Sequence, residues 1–189
     1  MTVSQVIIGT SLSKIGIEPD HYETFITLPT LGLFKRDYNG YFNDDVNWFD
    51  TQTPTGTDQD TTLNIGDIPD EFDNFSKQWT GYFYCNATGN YRFFTTSDDA
   101  SYLWLGLSAL SGYTIGNAIV DNGGPHGSQV VGSVHYKLTS GRYYPIRIQY
   151  GEQSGGSVMH TSYTSNGVDS TDFTGKLVFC STTPEGFNP

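Results

Sequence analysis

Cysteine is nearly absent from this 189-residue chain, in which Cys85 and Cys180 are the only two. One pair cannot build the multiply stapled framework of a small secreted domain. The sequence leaves open whether the two join or stay as buried thiols. Positive charge is scarce as well. Nine Lys and Arg stand against 20 Asp and Glu, a formal net charge of −11, which excludes nucleic acid and anionic membrane surfaces as partners, since both reward the opposite sign. No apolar run reaches bilayer-crossing length, so no membrane insertion is expected. The opening residues Met1-Thr-Val-Ser-Gln-Val-Ile-Ile-Gly lack the basic start and long apolar core of a secretory signal. Catalytic signatures are missing too. His21, His126, His135 and His160 are scattered, with no zinc-ligand spacing to one another or to cysteine. There is no Gly-x-Ser-x-Gly elbow, no phosphate-binding glycine loop and no redox cysteine pair. A non-enzymatic protein is expected.

What is present is aromatic and glycine-rich. Tyr and Phe number 13 and 12, Gly 22, and charged residues make up only 15%, a mixture suited to many short strands joined by tight turns. The fold class that follows is all-β: an antiparallel β-sandwich or jelly-roll-like barrel in a single domain. Strands are expected at 78–85, 91–96, 101–105, 128–137, 143–150, 158–164 and 176–180. Residues 1–30 read as an N-terminal extension with a strand at 21–27, residues 31–181 as the domain and 182–189 as a tail. Between 51 and 73 the sequence is polar, acidic and aperiodic, which reads as a long surface excursion.

The most informative stretch is Ser97-Asp-Asp-Ala-Ser-Tyr-Leu-Trp-Leu-Gly, where two adjacent acids open a strand-forming run. Successive strand side chains point to opposite faces. Asp98 and Asp99 can therefore grip one ion only if the backbone between them leaves strand geometry, which a cis non-proline peptide would achieve. The plain alternative is a solvated turn. Asp44-Asp45 reads as such a turn. Asp58-Gln-Asp60 starts like a calcium loop but lacks its later Gly and Glu. Tyr102 and Trp104 alternate with Leu103 and Leu105, so both faces of that strand read as buried and Trp104 as core.

Several blocks occur together in a telling order: Trp79-Thr-Gly-Tyr-Phe, Gly89-Asn-Tyr-Arg-Phe-Phe, the Asp-Asp block, Ser111-Gly-Tyr-Thr-Ile-Gly-Asn-Ala, and Leu138-Thr-Ser-Gly-Arg-Tyr-Tyr-Pro-Ile-Arg-Ile-Gln-Tyr-Gly. With Gly32-Leu-Phe-Lys-Arg-Asp-Tyr-Asn-Gly-Tyr-Phe upstream, the chain resembles a GLEYA-type adhesin domain of the protective-antigen-type (PA-fourteen) carbohydrate-binding superfamily. That resemblance implies a calcium-dependent, non-catalytic adhesion module with a cell-surface glycan as partner, displayed on a virion or cell surface. It implies calcium ligands at Asp98 and Asp99, at Glu152 where related adhesins carry Asn, and at the carbonyls of Ser154 and Gly156. Ligand contacts are implied at Asp98, Asp99, Glu152 and Gln153, with Tyr113 and Asn117 as outer contacts. Fungal members carry a signal peptide and more cysteines. This chain departs from them, which suits a trimmed segment or a protein that reaches a surface by assembly, as phage virion proteins do, with residues 1–30 available for multimeric attachment. Glu152 and a 151–156 loop poor in aromatics keep a second reading open: a structural or decoration subunit of a phage virion that retains the fold, and perhaps the ion, without recognising sugar.

Overall fold

The structure, a computed structural model, describes residues 30–68 and 73–180. The strand expected at 21–27 and the C-terminal tail lie outside them. Fourteen strands are described: β1 Thr30–Leu31, β2 Leu33–Asn39, β3 Gly56–Asp60, β4 Asn64–Ile68, β5 Phe75–Cys85, β6 Gly89–Asp98, β7 Ala100–Leu105, β8 Val120–Asn122, β9 Gln129–Gly132, β10 Tyr136–Leu138, β11 Arg142–Glu152, β12 Ser157–Ser165, β13 Val168–Ser170 and β14 Leu177–Phe179. Only short 3₁₀ turns accompany them, at Trp48–Asp50, Leu107–Ala109 and Ile115–Asn117. All pairings are antiparallel, and they form two sheets rather than a closed barrel. One sheet runs β1-β14-β5-β11-β7-β8, with β2 along the remaining length of β5 and β3 on β2; the other runs β10-β6-β12-β13, extended by β9 on β6 and β4 on β12.

The alternation of β6 and β12 explains the smaller sheet. Tyr91, Phe93, Thr95 and Ser97 are buried while their neighbours are half-buried, and Ser157, Met159, Thr161 and Tyr163 repeat the pattern. Each strand thus turns one face to the core. The larger sheet answers with Trp79, Phe83, Leu103, Ile146, Ile148 and Tyr150, which join Phe93, Met159 and Tyr163 in the main core. Rings in that core meet edge to face, as for Phe83 and Phe93 at 5.2 Å between centroids, the geometry that ring quadrupoles favour.

The outer face of the larger sheet is also covered. Tyr102 and Trp104 pack with Tyr38, Phe42, Val46, Phe49 and Tyr113 in a second cluster, so β7 is buried on both sides, as its sequence indicates. The covering segments are the loop 40–50 and the connection 106–119. Cys85 and Cys180 are both buried and are not joined.

Two parts of the chain differ from expectation. The stretch 51–73 contains β3 and β4, which pair with β2 and β12. The span 128–137 is two strands, because Ser133 interrupts it: its hydroxyl accepts the Phe93 amide of β6 at 3.0 Å. The Asp58-Gln-Asp60 run is a structural anchor. One Asp60 oxygen accepts the amides of Thr62 and Leu63 at 2.9 and 3.1 Å, and the other accepts Trp79 Nε1 at 2.8 Å. Burial pushes the Asp60 carboxyl up, but these hydrogen bonds outweigh it and hold the group below the usual carboxylate range. Its contribution is therefore present above the ordinary carboxylate pKa and fades as the pH falls through the lowered one. Asp60→Ala is expected to cost about 2 to 3 kcal/mol at pH 7 by orphaning the Trp79 indole N–H. An unchanged urea midpoint would refute that.

Candidate functional site: an acidic group where two connections change sheets

β6 belongs to the smaller sheet and β7 to the larger, so the turn Asp98–Ala100 carries the chain from one to the other. β11 and β12 are likewise in different sheets, joined by residues 153–156. Register brings the two crossings together: Gly151 of β11 pairs with Ala100, and Val158 of β12 pairs with Asp98. Asp98 and Asp99 therefore end beside Glu152. The Asp98–Asp99 peptide is cis, and carboxylate oxygens of Asp98, Asp99 and Glu152 all lie within 4.8 Å of one another.

The supports differ for each acid. Asp99, 5% exposed, accepts the His126 amide at 2.8 Å on Oδ1 and the Gln153 amide at 2.9 Å on Oδ2, which ties both flanking loops to it. Asp98 is half-buried. Burial and then Asp99 raise its pKa, against the Ser128 amide and His126, which lower it. Glu152 is fully buried. Tyr150 Oη donates to the Asp98 carbonyl at 2.7 Å and reaches Glu152 Oε2 at 3.2 Å, while Glu152 Oε1 has no hydrogen-bond partner. Burial, then Asp99, with smaller contributions from Asp98 and Asp73, pushes the Glu152 carboxyl up to about 7, against the Tyr150 hydroxyl.

Beneath the crossing, a buried polar chain fixes β6, β7 and β8 to one another. Asn122 Nδ2 donates to Ser97 Oγ at 2.8 Å, Ser97 and Ser101 hydroxyls are 2.8 Å apart, and Ser101 Oγ donates to Thr95 Oγ1 at 2.8 Å. Gly151 lets the loop 40–50 pack against β11 beside the site. A Cβ there would lie 2.5 Å from Phe42 Cδ1 and 2.8 Å from Tyr41 Cδ2. Tyr41 Oη is buried without a partner, and burial followed by Asp44, Asp99 and Glu152 raises its pKa.

Of the residues expected from sequence, the structure gathers Asp98, Asp99 and Glu152. Gln153 touches Asp99 through its backbone N–H, and its side chain is exposed. Ser154 and Gly156 lie in the same exposed connection, with Gly156 beside Asp98: a Cβ there would be 3.8 Å from Asp98 Oδ2. Tyr113 and Asn117 are not part of this group. Tyr113 is buried in the second cluster and donates to Asp50 at 2.6 Å. Asn117 uses its side chain to accept Trp104 Nε1 at 3.0 Å and the Thr114 amide at 2.8 Å. Asp44 is more than a turn residue, because its Oδ1 accepts the Tyr102 hydroxyl at 2.9 Å and the Gly124 amide at 3.0 Å. Tyr41, His126 and Tyr150 were not visible as site residues. They carry no local motif, and only the pairing of strands brings them to the acids.

Three carboxylates this close, one fully buried with an unpartnered oxygen, fit a hard cation that takes oxygen ligands. The charges acting on Glu152 are all acidic. Asp98, Asp99 and Glu152 would hold such an ion, which would neutralise them and lock the two crossings together.

Two packed antiparallel sheets, with an acidic group at adjacent sheet-changing turns, make a β-sandwich similar in fold to PA14 domains of known structure. Residues 75–165 match the family described as the GLEYA domain. The crystal structure of the PA14 domain of the MpAFP antifreeze protein superposes with a TM-score of 0.65 at 15% identity, covering 92% of this chain and 100% of that one. The epithelial adhesin 6 A domain from Candida glabrata, solved in complex with Galβ1-3GlcNAc, gives 0.65 at 17% identity, covering 86% and 92%. An anti-sigma factor domain-containing protein from Clostridium clariflavum gives 0.60 at 18% identity, covering 86% of this chain and 52% of that one. The chain thus spans about half the length of such anti-sigma factor domain-containing chains. No curated protein sequence matches it.

Proposed function

We propose that the domain is a non-catalytic, calcium-dependent carbohydrate-binding adhesion module, displayed on a virion or cell surface where repetition gives weak sites avidity. The observation that carries the reading is the acidic triad, with Glu152 fully buried and its Oε1 unpartnered. Calcium takes about 6 to 8 oxygen ligands and tolerates irregular geometry. The Ser154 and Gly156 carbonyls lie in the connection that follows Glu152 and would add to the carboxylates. Burial supports a division of labour. Glu152 holds the ion, while half-buried Asp98 and exposed Gln153 remain available to a sugar hydroxyl. Bound calcium would supply open positions for vicinal hydroxyls, which the carboxylates would accept as hydrogen-bond donors. The glycan-bound Candida adhesin domain of the same fold supports a glycan partner. A hydrolase is disfavoured, because the carboxyls crowd round one point rather than face each other across a cleft of about 5 to 9.5 Å.

A second reading follows from the exposed connection 153–156, which is Gln-Ser-Gly-Gly and has no aromatic platform. In that reading the ion stiffens a structural or decoration subunit and no sugar binds. A glycan array on chelator-stripped protein, with and without added calcium, separates them. Binding that appears only with calcium is the expected result. A calcium-raised melting temperature with an empty array selects the structural reading, and no response in either refutes the metal site.

A further inference from the structure

A second feature lies on the outer face of the larger sheet. Arg147 is five residues before Glu152 on β11, roughly 17 Å along a strand. Here a cleft of about 340 Å³ is lined by Arg36, Tyr38, Asp50, Gln78 and Arg147, among others. That volume lies at the lower end of small-molecule sites, about 300 to 1,000 Å³. Strand register assembles it. Arg36 pairs with Gln78, and Thr80 pairs with Arg147 one step along the same face.

Two of the nine cationic residues of an acidic chain thus meet in one cleft, and both are held in place by the protein. The Arg36 guanidinium lies 4.4 Å from the centroid of the Phe34 ring and donates to Thr80 Oγ1 at 3.2 Å. Arg147 lies 4.1 Å from the centroid of the Tyr113 ring and donates to the Ala109 carbonyl at 2.9 Å. Among the described residues, neither has a carboxylate within ion-pair distance. Among the described residues the ion pairs are Lys35 and Lys77 with Asp37. Between the arginines sits Gln78, 4% exposed, whose Nε2 has no hydrogen-bond partner. An unpaired buried amide N–H is costly unless something enters to accept it. Asp50, at the rim, gives one oxygen to the Tyr113 hydroxyl.

These groups select a ligand. Planar guanidinium forks and an amide donor match one carboxylate. The Asp50 carboxylate disfavours a more highly charged anion and accepts a hydroxyl. We propose that this cleft is a second, metal-independent site for an acidic sugar, taking the carboxylate of a uronate residue between Arg36, Arg147 and Gln78, with a ring hydroxyl on Asp50. The choice of a sugar over other carboxylates rests on the carbohydrate reading above; the anion site itself does not.

The test is a chemical-shift titration of the full chain in chelator with D-glucuronate, methyl glucoside, acetate and inorganic sulfate. Glucuronate should saturate, at least tenfold more tightly than each of the other three. Arg36→Gln, on a half-buried side chain, and Gln78→Leu, close in shape, should each weaken it more than tenfold with little change in melting temperature. Absence of saturable glucuronate binding, equal binding of acetate or sulfate, or indifference to both variants would overturn the assignment. Asp99→Ala should leave glucuronate binding intact. Calcium-dependent glycan binding without glucuronate binding would sink this proposal alone, and glucuronate binding without calcium-dependent glycan binding would sink the calcium-dependent adhesion reading alone.

Discussion

Asp99→Ala is expected to abolish the response of this domain to calcium. In the wild-type protein, saturating the site to about 100 times its dissociation constant adds about 2.7 kcal/mol of stability. For a chain of this size that corresponds to a rise in melting temperature of about 5 to 10 °C. Asp99 is the acid whose loss should matter most. It is one of three carboxylates that converge within 4.8 Å, and it also anchors the loops at His126 and Gln153. Its removal takes away a ligand and orphans two amides, so the variant should melt lower than wild type in chelator and show no rise when calcium is added. Calcium-dependent glycan binding should vanish with it. Asp98→Asn, on a half-buried side chain with a nearly identical shape, provides the milder control and should also lose the calcium response. A calcium shift retained in both variants would place the ion elsewhere.

The second large effect is on pH. Glu152 in the metal-free protein has its carboxyl pushed up to about 7 from an ordinary 4.5, by burial first and by Asp99 next. The folded state therefore keeps a proton that the unfolded state has already lost. The stability tied to neutral Glu152 is complete below the ordinary value and is lost as pH rises through about 7. Its upper bound is about 3 kcal/mol. Asp98, also raised, acts in the same direction. In chelator, wild type should lose stability between pH 5 and pH 8, whereas Glu152→Gln should lose less and be the more stable of the two at pH 8. Calcium inverts the relation, because it requires the deprotonated carboxylate; its stabilising effect should grow from pH 5 to pH 8 in wild type. Melting curves at several pH values, with chelator and with calcium, test both signs. A wild-type-to-Glu152→Gln difference independent of pH would show that this carboxyl does not titrate there.

Much of the fold was legible because burial leaves a period in the sequence. The alternation in Tyr91–Ser97 and Ser157–Tyr163 marks strands with one face inward. The unbroken apolar character of Tyr102, Leu103 and Trp104 marks one buried on both. β3 left no such mark. Its residues Gly56-Thr-Asp-Gln-Asp are mostly exposed, and they are a strand because β2 offers them an edge. The break at Ser133 was equally silent, since only the opposing amide of Phe93 gives that hydroxyl its role.

The site divides along the same line. The sequence by itself determined that two adjacent acids open a strand, that strand geometry alone would send them to opposite faces, and that an acidic chain with few cations needs a positive ligand or a neutral one. It also determined an all-β architecture, through aromatic and glycine content and the period of two. Only the tertiary structure decided that Glu152 lies beside those acids, that Tyr41 and Tyr150 border them, that Tyr113 and Asn117 serve the second core, and that Arg36 and Arg147 share a cleft. Hydrophobic periodicity is a local property, written by each strand's own inner face. The meeting of residues tens of positions apart is set by strand register and by where the chain changes sheets, and neither leaves a local trace.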